Sequence, residues 1–423
     1  MSAASTKEVT EEGHKVTTVV EGTAATAAPP AMTGRILTEP WSKRHKEVTR
    51  NDREGLKYNL SNSFAQPTSV EEVEKLAAKR GDDALVRAYR DHSLSYTPNG
   101  GSSDCREAVS EAIFDTCKGD DVLVTAGGQV ALQTVCFALL GRGDHAVVCT
   151  PSYQSCQEAP LHAGASVTKV RLTQEWDLDL AALEAACTKN TKLILLNQPW
   201  NPGGTLISRD TFEAVLDIAK KSGAWILNDE IYRFLEYDGR KRLPAVADLY
   251  ERGISIGALS KAFGAGGLSL GWIACRDIKT LQRCKDAQYF GTACVARSSE
   301  LLAIMVLRAS ERLLQRNLGI IRRNLKVLEA FLKRNSDLFS YVKPVAGCVL
   351  FAEFKGPMTA ADFGEQLAAS GISVKPSYCF TQDPRDGQYV RLGFGEDKLV
   401  PLAIEALAKF IDEKRSGWGC PRK

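Results

Sequence analysis

The chain has 423 residues, and 54 Lys and Arg against 51 Asp and Glu give a formal net charge of +3. With 44% hydrophobic and 25% charged residues, the composition is that of a globular protein and excludes disorder throughout. The near-neutral charge makes neither nucleic acid nor an anionic membrane the expected partner, and the length allows two or three domains.

The first 34 residues are predicted to form a disordered tail. They are rich in Ala, Thr and Glu and lack the apolar core of a signal peptide. No run of apolar residues is long enough to span a membrane. The twelve cysteines occur without C-x-x-C pairs, as expected for reduced thiols. We therefore expect a cytoplasmic protein.

The middle of the chain predicts an α/β architecture. Short apolar runs alternate with segments of helical spacing, a pattern typical of a parallel sheet covered by helices. A helix should begin behind Ser208, because apolar residues recur there at positions i, i+3, i+4 and i+7. The predicted strands are Val122 to Val124, Ala146 to Cys149, Val167 to Leu172, Leu193 to Leu196, Trp225 to Leu227 and Ile254 to Leu259.

A different pattern begins near residue 295. Leucine and isoleucine residues from Leu314 to Leu332 advance by steps of four and three, which predicts one face of a long helix. Strands at Cys348 to Phe354, Ile372 to Val374 and Tyr389 to Leu392, with a helix from Leu399, predict a smaller α+β unit. The predicted organisation is a tail at 1–34, an arm and part of the small domain at 35–84, a large domain at 85–296, a small domain at 297–415 and a tail at 416–423.

Polar residues follow several predicted strands, at the edge where open parallel sheets bind their ligands. The turn Ala126-Gly127-Gly128-Gln129 precedes a helix predicted to run to about Leu140, and the N-terminus of such a helix suits a phosphate. Glycines are also needed for the turn alone, so this motif has two explanations. It matches neither a Walker loop nor a dinucleotide-binding fingerprint.

Three further motifs follow strands in the same way. Asn201 lies in the dense turn after the strand that ends at Leu196, and Asp229 follows the strand that ends at Leu227, with Tyr232 three residues on. A lone Asp in that position most often caps a helix. Lys261 follows another apolar strand, where a charge is costly unless it is paired or used covalently.

Together these motifs resemble the fold-type I pyridoxal-phosphate enzymes of the class I and II aminotransferase group, the aspartate aminotransferase superfamily. The resemblance extends from about Asn59 to Phe410. Asn201 and Asp229 are 28 positions apart and Asp229 and Lys261 are 32 apart, both within the range of the family. The resemblance implies a large domain with a mostly parallel seven-stranded sheet and a smaller α+β C-terminal domain.

The resemblance also implies roles around the cofactor pyridoxal 5'-phosphate. Lys261 would form the Schiff base, an internal aldimine, and then carry the proton between the substrate Cα and the cofactor. Asp229 would keep the pyridine nitrogen protonated, and Asn201 and Tyr232 would bind the phenolic oxygen. Tyr153 would stack on the ring. The residues implied in the phosphate cradle are Gly127, Gly128 and Gln129, and Ser260 is also expected to bind the cofactor.

Other implied roles concern the substrate and a second subunit. Arg391, in the strand Tyr389 to Leu392, would bind the substrate α-carboxylate, because its planar fork matches two oxygens. Asn201 and Ser61 are also expected to bind the substrate, and Ser61 falls in the implied N-terminal substrate loop, although the glycine usual there is missing. Tyr96 would reach the cofactor phosphate of a partner subunit, which implies a homodimer. The implied substrates are an amino acid and a 2-oxo acid.

One departure from the family pattern concerns the phosphate. A Ser three residues before the lysine and an Arg eight after it normally bind the phosphate, but this chain has Ala258 and Ser269. Arg276, Arg297 or a partner residue could supply the cation, the cofactor could be held less tightly, or the chain could have lost the cofactor. Loss of the cofactor is disfavoured because the chain keeps the five other residues with implied chemical roles, which are Lys261, Asp229, Tyr232, Asn201 and Arg391.

The sequence favours an aminotransferase and leaves the reaction open, since the same Lys and Asp serve several pyridoxal-phosphate reactions. Segments near Ser61 and His92 are also similar to enzymes that cyclise or oxidise arginine derivatives, such as capreomycidine synthase, so a cyclase or eliminase is the alternative. A binding protein without catalysis is a third hypothesis. No metal site is expected, because the five histidines show no ligand spacing.

Overall fold

The computed structural model describes residues 7–11, 14–18 and 56–419. Strands β1 (Lys7–Glu11) and β2 (His14–Thr18) pair antiparallel within the segment predicted to be a tail. The other residues of that segment, and residues 420–423, lie outside the described residues, so disorder at the N-terminus stays a prediction. The continuous part begins just before the two-residue strand β3 (Tyr58–Asn59).

A seven-stranded sheet forms the centre of the larger part of the fold, in the order β4-β10-β9-β8-β7-β5-β6. Six strands are parallel, and β10 is antiparallel to both of its neighbours. The mostly parallel sheet is thus confirmed, and β10 is a strand not predicted from the sequence. The strands are β4 (Val122–Thr125), β5 (His145–Thr150), β6 (Ser166–Arg171), β7 (Thr191–Asn197), β8 (Trp225–Asp229), β9 (Gly253–Ala258) and β10 (Gly271–Ala274).

Helices surround this sheet, and every residue of β4, β5, β9 and β10 is buried, as expected for strands covered on both faces. The predicted cap at Ser208 is confirmed, since its hydroxyl accepts a hydrogen bond from the Thr211 amide at 3.0 Å. The helices up to this domain's end are α1 (Val70–Arg80), α2 (Asp83–Arg90), α3 (Ser103–Ile113), α4 (Gly128–Leu139), α5 (Gln154–His162), α6 (Leu180–Ala186), α7 (Arg209–Ser222), α8 (Val246–Leu249) and α9 (Ile278–Tyr289).

The C-terminal part contains the predicted long helix and a second sheet. Strands β11 (Phe339–Tyr341), β12 (Val349–Phe354), β15 (Tyr389–Gly393) and β14 (Lys375–Pro376) lie side by side in that order and are antiparallel. The strand predicted at Ile372 to Val374 is shorter, because β13 (Ile372–Ser373) pairs with β3 instead. The helices are α10 (Arg297–Arg308), α11 (Ser310–Arg334), α12 (Ala360–Ala369) and α13 (Leu399–Lys414).

The described residues contain no membrane-spanning helix, no disulfide and no cluster of metal-binding side chains. Among them, no helix has the length and apolar character that crossing a membrane requires. All eleven cysteines in this part of the chain are free. Nowhere in it do three or more His, Cys, Asp or Glu side chains gather as a metal site would need.

Candidate active site

A cavity of about 230 Å³ lies at the carboxyl edge of the large sheet, where β4, β8 and β9 end. Parallel strands bring residues from distant parts of the sequence to one such edge. The predicted residues that line this cavity together are Gly127, Gly128, Gln129, Tyr153, Asn201, Asp229, Tyr232, Ser260 and Lys261.

Lys261 follows β9 and its Nζ donates a hydrogen bond to the Ser63 hydroxyl at 3.1 Å. Removal from bulk water and the nearby Arg391 guanidinium lower the pKa of this lysine to about 8. The amine is therefore about half neutral, and nucleophilic, near pH 8, where an ordinary lysine stays protonated. The lysine is suited to attack a carbonyl group in the cavity.

Asp229, the last residue of β8, is a buried carboxylate with two weak donors. The Ile231 amide lies 3.2 Å from Oδ1, and the Cys156 thiol lies 3.7 Å from Oδ2. Desolvation outweighs these contacts and raises the pKa of Asp229 to about 6. No lysine or arginine of the described residues forms an ion pair with it, so a cationic ligand atom would be strongly favoured at this carboxylate.

Tyr232 and Lys261 both contact the segment that precedes α1. The Tyr232 hydroxyl donates to the backbone carbonyl of Ser63 at 2.9 Å, while the ring is almost completely buried. Burial also raises the pKa of this phenol, which keeps it protonated and able to donate. Ser63 is thus held against the cavity by two residues that follow different strands.

Arg391 in β15 is 1% exposed and joins the small sheet to the cavity wall. Its Nη1 donates to Asn201 Oδ1 at 3.0 Å, and its Nη2 donates to the Ser61 carbonyl. Its Nε has no hydrogen-bond partner among the described residues. The Ser61 hydroxyl donates to Asn59 Oδ1 at 2.8 Å, and the hydrogen bond of Ser61 to the arginine comes from its backbone carbonyl.

The turn between β4 and α4 forms one wall of the cavity. Gly127 has φ of 96°, a left-handed conformation that glycine adopts without strain. A Cβ on Gly271 of β10 would lie 2.6 Å from the Gly127 carbonyl carbon, so glycine is needed where this strand approaches the turn. The first amides of α4 have no intrahelical acceptors and can bind an anion.

Two side chains near this turn form a short polar chain. The Gln129 amide donates to the Ser155 hydroxyl at 3.1 Å, and the Tyr153 hydroxyl lies 3.5 Å from Gln129 Oε1. The Tyr153 ring lines the cavity beside Asp229. An aromatic face in this position suits a planar ligand.

Neither arginine that we considered as a replacement for the missing phosphate ligand lines the cavity of its own chain. Arg276 follows β10, whose last residue pairs with the first residue of β4, so it lies at the opposite edge of the sheet. Arg297 instead pairs with Asp104 at 2.7 Å and with Glu300 at 3.0 Å. Ala258 and Ser269 do line the cavity, as expected for positions that face the phosphate.

Tyr96 does not reach the cavity of its own subunit. Its side chain is 94% exposed, in a loop tied to the segment after α9 by a hydrogen bond from the Thr97 hydroxyl to the Val295 carbonyl at 2.6 Å. This exposure agrees with the implied contact to a partner subunit, which stays a prediction.

Sequence reasoning missed two residues of the site. Ser63 belongs to the predicted substrate loop, in which only Ser61 is predicted as a site residue, because nothing local distinguishes two serines in one loop. Cys156 follows Tyr153 by three residues in α5, and its contact with Asp229 joins residues 73 positions apart. A contact of that separation has no local signal in one sequence.

Comparisons with known proteins agree with this geometry. Residues 61–407 match the family model described as aminotransferase class I and II. An aspartate aminotransferase of Sulfurisphaera tokodaii is 25% identical over 345 residues, which cover 78% of this chain and 86% of that protein. A PLP-dependent aminotransferase from Streptococcus suis has a TM-score of 0.79 and 26% identity, covering 88% of this chain and 96% of that one.

A second solved structure, titled PLP-dependent cyclase OrfR, has a TM-score of 0.78 at 23% identity, and covers 89% of this chain and 98% of that chain. At this identity, the likeness concerns the fold alone. The same fold therefore occurs in proteins named for transamination and for cyclisation, and reaction type has to be argued from the site.

Proposed function

The chain belongs to the class I and II aminotransferase family of pyridoxal-phosphate-dependent enzymes, and on this premise we propose that it transfers the amino group of an α-amino acid to a 2-oxo acid. The observation that carries the proposal is the meeting of Lys261 and Asp229 in one cavity with the N-terminal turn of α4. The amine of Lys261 follows β9, the carboxylate of Asp229 ends β8, and the anion-binding turn follows β4.

The residues of the cavity fit the cofactor. The buried Asp229 carboxylate has a raised pKa of about 6 and no cationic partner among the described residues, which supports pairing with a protonated ring nitrogen. The Tyr153 ring would cover one face of the cofactor ring. Gly127, Gly128 and the α4 amides would hold the phosphate.

When bound, pyridoxal phosphate supplies an aldehyde that condenses with amines and a protonated ring that withdraws electrons from the substrate Cα. Lys261 would hold the cofactor until substrate arrives. Its Nζ, with a pKa of about 8, would then take the proton from the substrate Cα and deliver it to the former aldehyde carbon of the cofactor. Asp229 would keep the ring nitrogen protonated during that transfer.

The substrate carboxylate would bind at Arg391. This guanidinium is already oriented by Asn201 and the Ser61 carbonyl, so little side-chain entropy is lost on binding. Tyr232, a buried donor 2.9 Å from the Ser63 carbonyl, would turn its hydroxyl to the phenolic oxygen of the cofactor. Ser63 would leave Lys261 as the substrate enters.

A homodimer would complete the site. Leu94, Tyr96 and Phe290 expose 93%, 94% and 88% of their surfaces. The Thr97 and Asn99 side chains donate hydrogen bonds to the backbone of Val295 and Lys285, which ties the loop that carries Leu94 and Tyr96 to α9 and the segment after it. Exposed large apolar side chains are unfavourable in water and support burial against a second copy. Sedimentation should give twice the chain mass, and Tyr96→Phe should weaken binding of the cofactor phosphate.

The cysteines support a proposal for the cellular location. Eleven free thiols in the described part of the chain support a reducing compartment, for which the cytoplasm is our proposal. Fractionation of the native host would test it.

The experiment that tests the function is spectroscopic. The purified protein with added pyridoxal phosphate should absorb visible light, and Lys261→Ala should remove this band while the fold stays intact by circular dichroism. Lys279→Ala, an exposed lysine of α9, is the matched control and should keep the band. A wild-type protein that stays colourless would refute the proposal in favour of a binding protein without catalysis.

A second measurement separates transamination from cyclisation. An amino acid alone should convert the bound cofactor to its amine form, and a 2-oxo acid should reverse the change. If arginine or a hydroxylated arginine instead yields a new product while the cofactor keeps its aldehyde form, the chain is a cyclase or eliminase.

A further inference from the structure

The phosphate end of the cavity contains neutral donors. The turn Ala126-Gly127-Gly128-Gln129 presents backbone amides at the start of α4, a helix of twelve residues. Ser260 and Ser269 add hydroxyl groups to the same cavity. We call the turn and these two serines the phosphate cup.

Charged groups around the cup are few. Of the described residues that line the cavity, only Asp229 and Lys261 are charged. The other titratable groups that face it are the phenols of Tyr153 and Tyr232 and, behind Asp229, the Cys156 thiol. No arginine and no second lysine is among the residues that line the cavity in the described part of the chain. Arg391 and Lys375 lie near enough to Lys261 to interact with it electrostatically, but both are buried outside this lining, and Arg391 is hydrogen-bonded to Asn201 and to the Ser61 carbonyl.

The cations nearby are already in use or point elsewhere. Lys261 would be bonded to the cofactor aldehyde, which removes its amine from the phosphate. Arg297 is held by two carboxylates and by the Ser102 hydroxyl at 2.8 Å, and Arg276 lies at the far edge of the sheet. Releasing Arg297 would leave the fully buried Glu300 without its ion pair, which is strongly unfavourable.

We propose that this chain holds the cofactor phosphate with neutral donors alone, so that the bound phosphate gains and loses a proton across neutral pH. This inference rests on the proposed function. Phosphate monoesters in water lose their second proton near pH 6, and a fixed cation suppresses that titration more strongly than neutral donors do, because charge-assisted hydrogen bonds are the stronger ones. Amides and a helix terminus stabilise the dianion, but desolvation opposes them.

The same arrangement limits the selectivity for the phosphorylated cofactor. A charge-assisted bidentate contact is about twice as strong as a neutral hydrogen bond, and this chain does not supply one. We expect pyridoxal phosphate to bind less than about 100-fold more tightly than unphosphorylated pyridoxal, with the difference shrinking as pH falls below 6.

Phosphorus NMR on the intact holoenzyme tests the proposal directly. The protein-bound phosphate signal should move with pH, with a midpoint between about 5.5 and 7.5. A bound signal that stays at the dianion position throughout this range overturns the proposal, because the site then suppresses the titration of the phosphate, through its own amides or through a cation of the partner subunit. Absence of both a bound signal and a visible band would instead refute the proposed function itself.

Two matched variants check that Ser269 faces the phosphate. Ser269→Arg supplies the missing cation and should lower the NMR midpoint by at least about one pH unit and tighten cofactor binding about tenfold. Ser269→Gln is the control, since both side chains are long and both must adopt the left-handed backbone at φ of 46°. If both variants show the same NMR midpoint and the same cofactor affinity, Ser269 does not face the phosphate. If neither variant folds, the pH titration of the wild-type holoenzyme still decides the proposal.

Discussion

The two ends of the cavity differ in how charged groups are stabilised there. At the end of β8, a single buried carboxylate, Asp229, carries a full charge with weak donors around it. At the phosphate cup, several backbone amides and serine hydroxyls would bind the phosphate together, without a cation from the described residues. The end that is proposed to drive chemistry depends on one residue, whereas the end that anchors depends on many. Single substitutions should therefore have unequal effects.

The largest difference should appear when one residue is changed at each end. Asp229→Asn removes the charge that keeps the ring nitrogen protonated, and kcat/KM should fall about 1,000-fold or more. Gln129→Ala removes one neutral side chain of several and should cost less than about tenfold. Steady-state kinetics measures both, and equal losses would contradict the comparison.

Arg391→Lys tests a third position that belongs to neither end. The lysine keeps the positive charge but loses the planar fork that Asn201 and the Ser61 carbonyl orient, so KM for the amino acid should rise about 10- to 100-fold. The dissociation constant of the cofactor should stay unchanged in a titration of the visible band. A large loss of cofactor would mean that Arg391 supports the ring.

The pH dependence of cofactor loading follows from Lys261. Its lowered pKa of about 8 means that the amine loses its proton, and becomes nucleophilic, as pH rises through that value. The stopped-flow rate of band formation in the cofactor-free protein should rise about tenfold from pH 7 to 9 and then level off. A rate that climbs steadily past pH 10 would show an unperturbed lysine.

The smallest expected effect concerns the surroundings of Asp229. Cys156→Ala removes the thiol that contacts Asp229, which should raise the pKa of that carboxylate further and weaken cofactor binding about threefold at pH 7. Cys156→Ser keeps a donor and serves as control. A calorimetric titration measures both, and identical loss in the two variants would assign the effect to packing.

The sequence alone identified the large sheet and the residues at its edge. Strand periodicity is local, so all six predicted strands of the central sheet occur where apolar runs predicted them. Each proposed chemical residue of the large domain follows such a strand within a few positions. Lys261 and Asp229 could therefore be placed at one edge before their separation in space was known.

Tertiary structure decided the contacts between distant segments and the direction of β10. The bond from Arg391 to Asn201 joins residues 190 positions apart, and Ser63 meets Lys261 across 198. Because β10 is antiparallel, Arg276 falls at the far edge of the sheet, away from the phosphate cup. Local periodicity determines which segments become strands, but the energies that set strand direction and long-range pairing arise only when the whole chain packs.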